Sequence, residues 1–291
     1  MAKKDREAAR EKAAEIRQIE ANRQRKRKRN SRIIKWLIAI VAVGVVAGLI
    51  VSAVVNNSRK EEEKAQEVAE LELNTPELAS AIGSFAVDKD GKAIPLAEAD
   101  GSLPRIEFIL DPHCGGCHIV EKGVNDTMKS MMEDGEAQFF FTPVSFMNRA
   151  SSDDYSARAA STLVEVAETD PEHFFDYIGA LYENFPAEGT GYPSKGVSYE
   201  DLGRVAKSAG VSEEAIERFD EQRFRLWALQ NTDVVEARSE IFPDGLSTPT
   251  VLMGGELVES DGKFVLQDFS KVVFQDSDVA KTFREAFDKI G

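Results

Sequence analysis

The sequence predicts an α/β domain built on a parallel βαβ unit, enlarged by a helical insertion and preceded by a single transmembrane helix. Three observations lead there. Residues 36–55 are an apolar run of membrane length, residues 106–146 read as strand, helix, strand, and residues 152–239 keep helical spacing before strand pattern returns at 247.

At the N-terminus, residues 1–35 hold 14 Lys or Arg against five Asp or Glu, leaving 22 basic and 46 acidic residues in the rest of the chain. So acidic a body excludes nucleic acid as its partner, because phosphate contacts need Lys and Arg. From Trp36 to Val55 every residue is apolar except Ser52. Twenty residues at a rise of 1.5 Å suffice to cross a hydrocarbon core of roughly 30 Å. A cleaved signal peptide is the alternative, but its apolar stretch is shorter, about 7–15 residues, and ends at an A-x-A-like site that this stretch lacks. The cluster Arg25 to Arg29, with Arg32 and Lys35, precedes the span, and Glu61, Glu62 and Glu63 follow it. Positive flanks stay in the cytoplasm, so the acidic domain is expected outside, where disulfides persist. The expected organisation is a cytoplasmic basic arm over 1–32, an anchor over 33–55, a charged linker over 56–75 and an extracytoplasmic domain over 76–291. The arm is read as a topology determinant in preference to an RNA- or lipid-binding segment.

Within the domain, residues 76–103 read as a short helix, small strands, and turns at Asp90-Gly91 and Asp100-Gly101. Ile106 to Leu110 is a buried central strand leading to Cys114. Ile119, Val120, Val124, Met128 and Met131 suit the inner face of a helix, and Phe139, Phe140, Phe141 and Val144 a second buried strand. About four helices are expected between 152 and 240, with breaks at Asp170-Pro171, Phe185-Pro186, the glycines of 189–196 and Gly210. Ser198 and Ser212 are their N-cap candidates, and Asp153-Asp154 an earlier one. A strand over 247–254, a turn at Gly254-Gly255 and a strand from Glu256 to Val265 form a hairpin. A last amphipathic helix is expected to carry Val272, Val273, Val279, Phe283 and Phe287.

The two cysteines of the chain, Cys114 and Cys117, sit three positions apart. A disulfide closing so small a loop constrains the unfolded chain little, which favours redox use over a structural role. The strand–turn–helix setting puts Cys114 at a helix N-terminus, where unpaired N–H groups stabilise a thiolate, the nucleophile of exchange. Cys117, almost one turn further in, is the resolving sulfur. This is the placement of a thioredoxin-like redox site. His113 and His118 stabilise the thiolate if protonated. Glu107 and Asp111 are candidates to accept the resolving thiol's proton. Thr248-Pro249, ahead of a strand, is a candidate cis-proline loop exposing a backbone edge to substrate.

Two other readings share these residues. Cys114 to His118 also fits C-x-x-C-H, the covalent haem c signature, although its position inside a βαβ unit favours the dithiol reading. A zinc site is too crowded with Cys114, Cys117 and one adjacent histidine. No cofactor or metal is therefore expected.

Four segments resemble the DsbA-like family of thiol–disulfide oxidoreductases, in its membrane-anchored actinobacterial form, over about residues 84–290. They are Glu107 to Cys117 with Asp111 three before the first cysteine; Ser156 to Ala160 through Phe174 and Leu181 to Gly189; Ala206 to Val211; and Ser247 to Val251. The resemblance implies a thioredoxin-like domain with a helical insertion. It implies Cys114 and Cys117 as the redox pair, and Thr248 and Pro249 as the substrate-binding loop. It further implies reduced exported proteins as substrates and a membrane quinone-linked partner for reoxidation. Reductase or isomerase use of the same pair is the alternative. Gly115-Gly116 departs from members with Pro or a bulky residue there, and loosens the first helical turn.

Overall fold

The computed structural model describes residues 68–151, 153–184, 197–260, 263–274 and 278–290. The fold lies in the unit Glu70–Gly291. The basic arm, the expected span over 33–55 and most of the linker fall outside the described residues. Among the described residues no helix is long and apolar enough to cross a membrane.

Six strands form one sheet: β1 Phe85–Val87, β2 Ala93–Ile94, β3 Arg105–Leu110, β4 Gln138–Pro143, β5 Thr250–Ser260 and β6 Lys263–Lys271. Their order is β2-β1-β4-β3-β5-β6. The pair β3–β4 is parallel, Phe108 opposite Phe141, and the other pairs are antiparallel. Parallel neighbours need a crossover, supplied by helix α1, Gly115–Glu133. It buries Cys117, Val120, Val124, Met128 and Met131, a stripe at three- and four-residue spacing. Ile119 falls off that stripe and is 63% exposed, against expectation.

The alternation of β3 sorts its side chains between the two faces of the sheet. Ile106, Phe108 and Leu110 join the cluster that holds both cysteines, while Ile109 joins another with Val144, Val235, Ile241 and Leu252. Phe139 and Phe141 of β4 enter the first cluster, and Phe140 a third.

The insertion contains five described α-helices where about four were expected: α2 Tyr155–Thr169, α3 Phe174–Asn184, α4 Tyr199–Ser208, α5 Glu213–Glu217 and α6 Arg225–Glu236. The count rises because the segment after Ser212 divides into α5, a single turn that Ser212 caps, and α6. Ser198 caps α4 in a reciprocal box with Asp201. The break expected at Phe185-Pro186 and the glycines lies outside the described residues. Asp154 occupies the N-cap of α2 but does not cap it: its φ is 55°, and Ser151 Oγ accepts the Tyr155 N–H at 2.9 Å instead.

Three further expectations are corrected. No helix forms between 76 and 84, where turns lead into β1. Gly254 and Gly255 do not turn the hairpin; they lie within β5, whose register with β6 runs from Leu252 opposite Lys271 to Ser260 opposite Lys263. Gly255 and the facing Asp268 both have positive φ, and a Cβ on Gly255 would lie 2.9 Å from the Gln267 carbonyl, so the glycine permits a local kink. Val272 and Val273 precede the last helix, α7 Val279–Phe287, which buries Val279, Phe283 and Phe287.

Candidate active site

Strand β3 ends at Leu110, and Asp111 to His113 turn the chain into α1. Cys114 stands at the N-cap with φ −88° and ψ 119°, its N–H bonded to the Asp111 carbonyl at 3.0 Å. Both cysteines are free thiols. Cys114 is 8% exposed, whereas Cys117 has no exposed surface. The Cys114 thiol donates to the Thr248 carbonyl at 3.3 Å, and the Asp111 N–H lies 3.4 Å from the Cys117 sulfur.

These contacts split the two thiols. A hydrogen bond from Cys117, opposed by burial and assisted by Thr248 and the N–H groups of Cys117 and Gly116, lowers Cys114 to about 6. Burial, with the proton shared toward Cys114, pushes Cys117 well above the ordinary thiol value. Near neutral pH the outer sulfur is therefore an anion and the inner one keeps its proton.

The Thr248-Pro249 bond is cis and places the Thr248 carbonyl beside Cys114. A Cβ on Gly116 would sit 2.9 Å from Pro249 Cδ and 3.7 Å from the Cys114 sulfur. The glycine thus lets the proline loop close onto the dithiol.

Asp111 is wholly buried. One carboxylate oxygen accepts the His113 N–H at 2.7 Å, the other the Met147 N–H at 2.7 Å, and the Ser156 hydroxyl lies 2.8 Å from both. Tyr182 of α3 donates to the Asp111 carbonyl at 2.9 Å. Burial outweighs these donors and raises Asp111 to about 7. The residue ties the redox turn to the exit of β4 and to the start of the insertion.

Glu107 is not brought to the site. It projects from the face of β3 opposite the cysteines, between Arg238 at 2.6 and 3.0 Å and Arg105 at 3.0 Å, with Thr142 and Ser84 hydroxyls donating at 2.8 and 3.0 Å. Burial alone would raise it; the Arg238 and Arg105 charges and the Thr142 hydroxyl overcome that and hold it at about 2. A carboxylate so firmly ionised accepts no proton from a thiol.

His113 contributes less charge than its position suggests. His113 is 3% exposed and edge-on to Tyr155 at 5.4 Å, and burial lowers its pKa, so it is neutral near pH 7. His118, half-buried, lines a hollow of about 490 Å³ with Ile119, Lys122, Asp278 and Val279. Among the described residues, no group of three His, Cys, Asp or Glu side chains could hold a metal. Sequence reasoning did not single out Tyr182, Met147 or Arg238. Their roles depend on neighbours 71, 36 and 131 positions away, for which a single sequence carries no signal.

The model of a thioredoxin family matches residues 103–273, more than half of the chain. No curated protein matches it. Among solved structures, the MdbA protein, a thiol-disulfide oxidoreductase from Actinomyces oris, is similar with a TM-score of 0.54 at 14% identity, covering 74% of this chain and 91% of its own. The corresponding protein from Corynebacterium diphtheriae gives 0.48 at 18% identity, covering 71% and 95%. Oxidised DsbA of Mycobacterium tuberculosis gives 0.48 at 20%, covering 64% and 86%. The first of these likenesses agrees with the fold described above. With the βαβ unit, the cysteine turn and the cis-proline strand all inside the matched stretch, the chain belongs to the thioredoxin family.

Proposed function

We propose that this chain is a thiol–disulfide oxidoreductase that introduces disulfides into exported proteins, tethered by the apolar span over 33–55 with its catalytic domain outside the cytoplasm. The observation that carries the chemistry is the split between the two thiols: Cys114 at the helix N-cap, lowered to about 6, beside a fully buried Cys117 raised well above the ordinary value. In the oxidised state a client thiolate attacks the Cys114 sulfur, the Cys114–Cys117 bond breaks, and Cys117 leaves and takes up a proton. A second client thiolate then attacks the client sulfur of the mixed disulfide. The client disulfide forms and Cys114 departs as a thiolate. A stabilised Cys114 anion is the better leaving group, which favours oxidation of the client.

The Thr248-Pro249 loop lies against the sulfur that the client must approach, and its resemblance to a substrate-binding loop supports that role here. The length of the apolar run and its basic flank support the tether, and with it reoxidation by a membrane quinone-linked partner. A haem would need both sulfurs open to one planar group, whereas Cys117 is enclosed.

Cys117→Ser tests the mechanism. It should trap client proteins on Cys114 as adducts seen on a non-reducing gel; an absence of client-linked species would mean the mechanism is wrong. The reduction potential tests the direction. A value more oxidising than about −200 mV supports disulfide donation, and one near −270 mV assigns the pair to reduction.

A further inference from the structure

The hydroxyl of Tyr182 leaves the helical insertion and enters the redox turn. Tyr182 stands on α3, which packs against α1, and it is 1% exposed. Its O–H donates to the Asp111 carbonyl at 2.9 Å. The same carbonyl accepts the Cys114 N–H at 3.0 Å, which closes a four-residue turn over Asp111, Pro112, His113 and Cys114. The Asp111 N–H lies 3.4 Å from the Cys117 sulfur. The main chain of Asp111 thus meets both cysteines, and Tyr182 holds it from outside the βαβ unit.

Packing alone does not explain this hydroxyl. The Asp111 carbonyl already has a donor in the Cys114 N–H, and a phenol O–H must be stripped of water to enter the core. Phenylalanine serves the core without that cost, as Phe174 and Phe175 do on the same helix. Tyr177 of α3 shows another arrangement. It is equally buried, but its hydroxyl pairs with Thr162 of α2 at 2.9 Å and stays within the insertion. The redox turn has a need of its own. Gly115 and Gly116 open α1, and two glycines leave a first helical turn slack. The direction of the Cys114 sulfur therefore depends on what fastens the chain just before it. His113, Met147 and Ser156 hold the Asp111 carboxylate, and Tyr182 holds the carbonyl.

We propose that Tyr182 is a positioning residue of the dithiol, whose hydroxyl holds the Asp111–Cys114 turn so that the Cys114 sulfur stays aimed at the N–H groups of Gly116 and Cys117. The role rests on the oxidoreductase reading above. Those two N–H groups are among the contacts that favour the Cys114 anion. A slack turn weakens them, and a less stable anion makes the chain a poorer oxidant. The donor is also permanent. Cys117, Cys114 and Glu121 on α1 and Asp111 in the turn are the titratable groups that face the phenol. Burial and their charges raise it well above the ordinary tyrosine value, so the O–H keeps its proton at neutral pH.

In the full chain, Tyr182→Phe keeps the ring and removes the bond. The Cys114 titration, read from thiolate absorbance near 240 nm, should move up by about half a pH unit. The equilibrium with glutathione should shift about threefold toward the disulfide form of the chain. Tyr177→Phe removes a buried hydroxyl from the same helix. It should lose similar resistance to urea and leave both readings where they are. An unmoved titration in Tyr182→Phe, an equal shift in Tyr177→Phe, or a Tyr182→Phe chain that does not fold assigns the hydroxyl to stability alone. Each of these overturns the proposal while the oxidoreductase reading stands. An unaltered chain whose cysteines do not exchange with glutathione ends both.

Discussion

Glu107 and Asp111 lie four residues apart, on β3 and at its exit, and neither has exposed surface, yet their charges are handled in opposite ways. Glu107 meets two guanidinium groups and is held ionised at about 2. Asp111 meets two main-chain N–H groups and a hydroxyl, with no cation, and is raised to about 7. Enclosure is the same for both, so the partners decide. A cation makes a buried carboxylate a fixed anion, whereas neutral donors leave its proton negotiable near the working pH. The first environment lies on the face of the sheet away from the cysteines and the second on theirs, so one end of a short strand serves stability and the other serves chemistry.

Separating these two roles is the largest test of the contrast. Arg238→Met leaves Glu107 without its main partner and should cost about 3–5 kcal/mol, because a fully buried charge then keeps only Arg105 as a cation. For a domain of this size that lowers the melting temperature by roughly 6–20 °C. Alkylation of Cys114 as a function of pH should not move; a shift would show that the two ends of the strand are coupled.

The pH dependence of stability comes next, measured by urea unfolding of the oxidised protein, in which neither sulfur titrates. Glu107, lowered from 4.5, contributes stability that is fully present above pH 4.5 and is lost as pH falls toward 2. Asp111 and Glu121, raised from 3.8 and 4.5 to about 7, bind protons more tightly in the folded state, so stability falls as pH rises from about 4 to 7 and levels off above. The two trends place a maximum near pH 4–5 and a decline toward pH 7 on the order of a few kcal/mol. A stability that climbs from pH 4.5 to 7 would contradict the raised pair.

A smaller effect separates charge from shape at Asp111. Asp111→Asn puts an amide NH₂ against either the His113 or the Met147 N–H, because each carboxylate oxygen now accepts one of them. The lost bond should cost about 1–3 kcal/mol. Asp111, at about 7, is still largely protonated where Cys114, at about 6, titrates, so the Cys114 titration, read from its absorbance near 240 nm, should move little. A large shift to lower pH would show that Asp111 is already ionised there.

The smallest effect is expected at Gly116. Gly116→Ala gains helix propensity of up to about 1 kcal/mol but crowds Pro249. Stability should change little, while the Cys114 titration moves up toward the ordinary thiol value as the Thr248 side chain is pushed away. No movement would show that the proline loop gives way freely.

The legibility of the chain follows the same division between near and distant partners. The βαβ unit was readable because Ile106 to Leu110, the stripe from Val120 to Met131, and Phe139 to Phe141 each record their own burial over a few residues. Ser198 and Ser212 were readable as caps because the groups they satisfy lie three positions on. Asp153-Asp154 misled because Ser151, three residues earlier, does the capping that their composition suggested. Gly254-Gly255 misled because paired glycines serve a kinked strand as well as a turn. The better turn signal, Asp261-Gly262, stood six residues further on between alternating strands. Val272 and Val273 continued an apolar pattern across a break that only the start of α7 at Val279 reveals.

By itself the sequence determined where the sulfurs sit: two cysteines three apart, after a buried strand and at the head of an amphipathic helix, are placed by hydrogen bonding and periodicity within a dozen residues. The tertiary structure decided which acids could serve them. A carboxyl's charge depends on what surrounds it after folding, and Arg238, Met147, Ser156 and Tyr182 reach Glu107 and Asp111 from 36 to 131 positions away. Three acids near the cysteines in sequence or on their helix face looked alike as letters. Packing made Glu107 a fixed anion and left Asp111 and Glu121 able to exchange a proton.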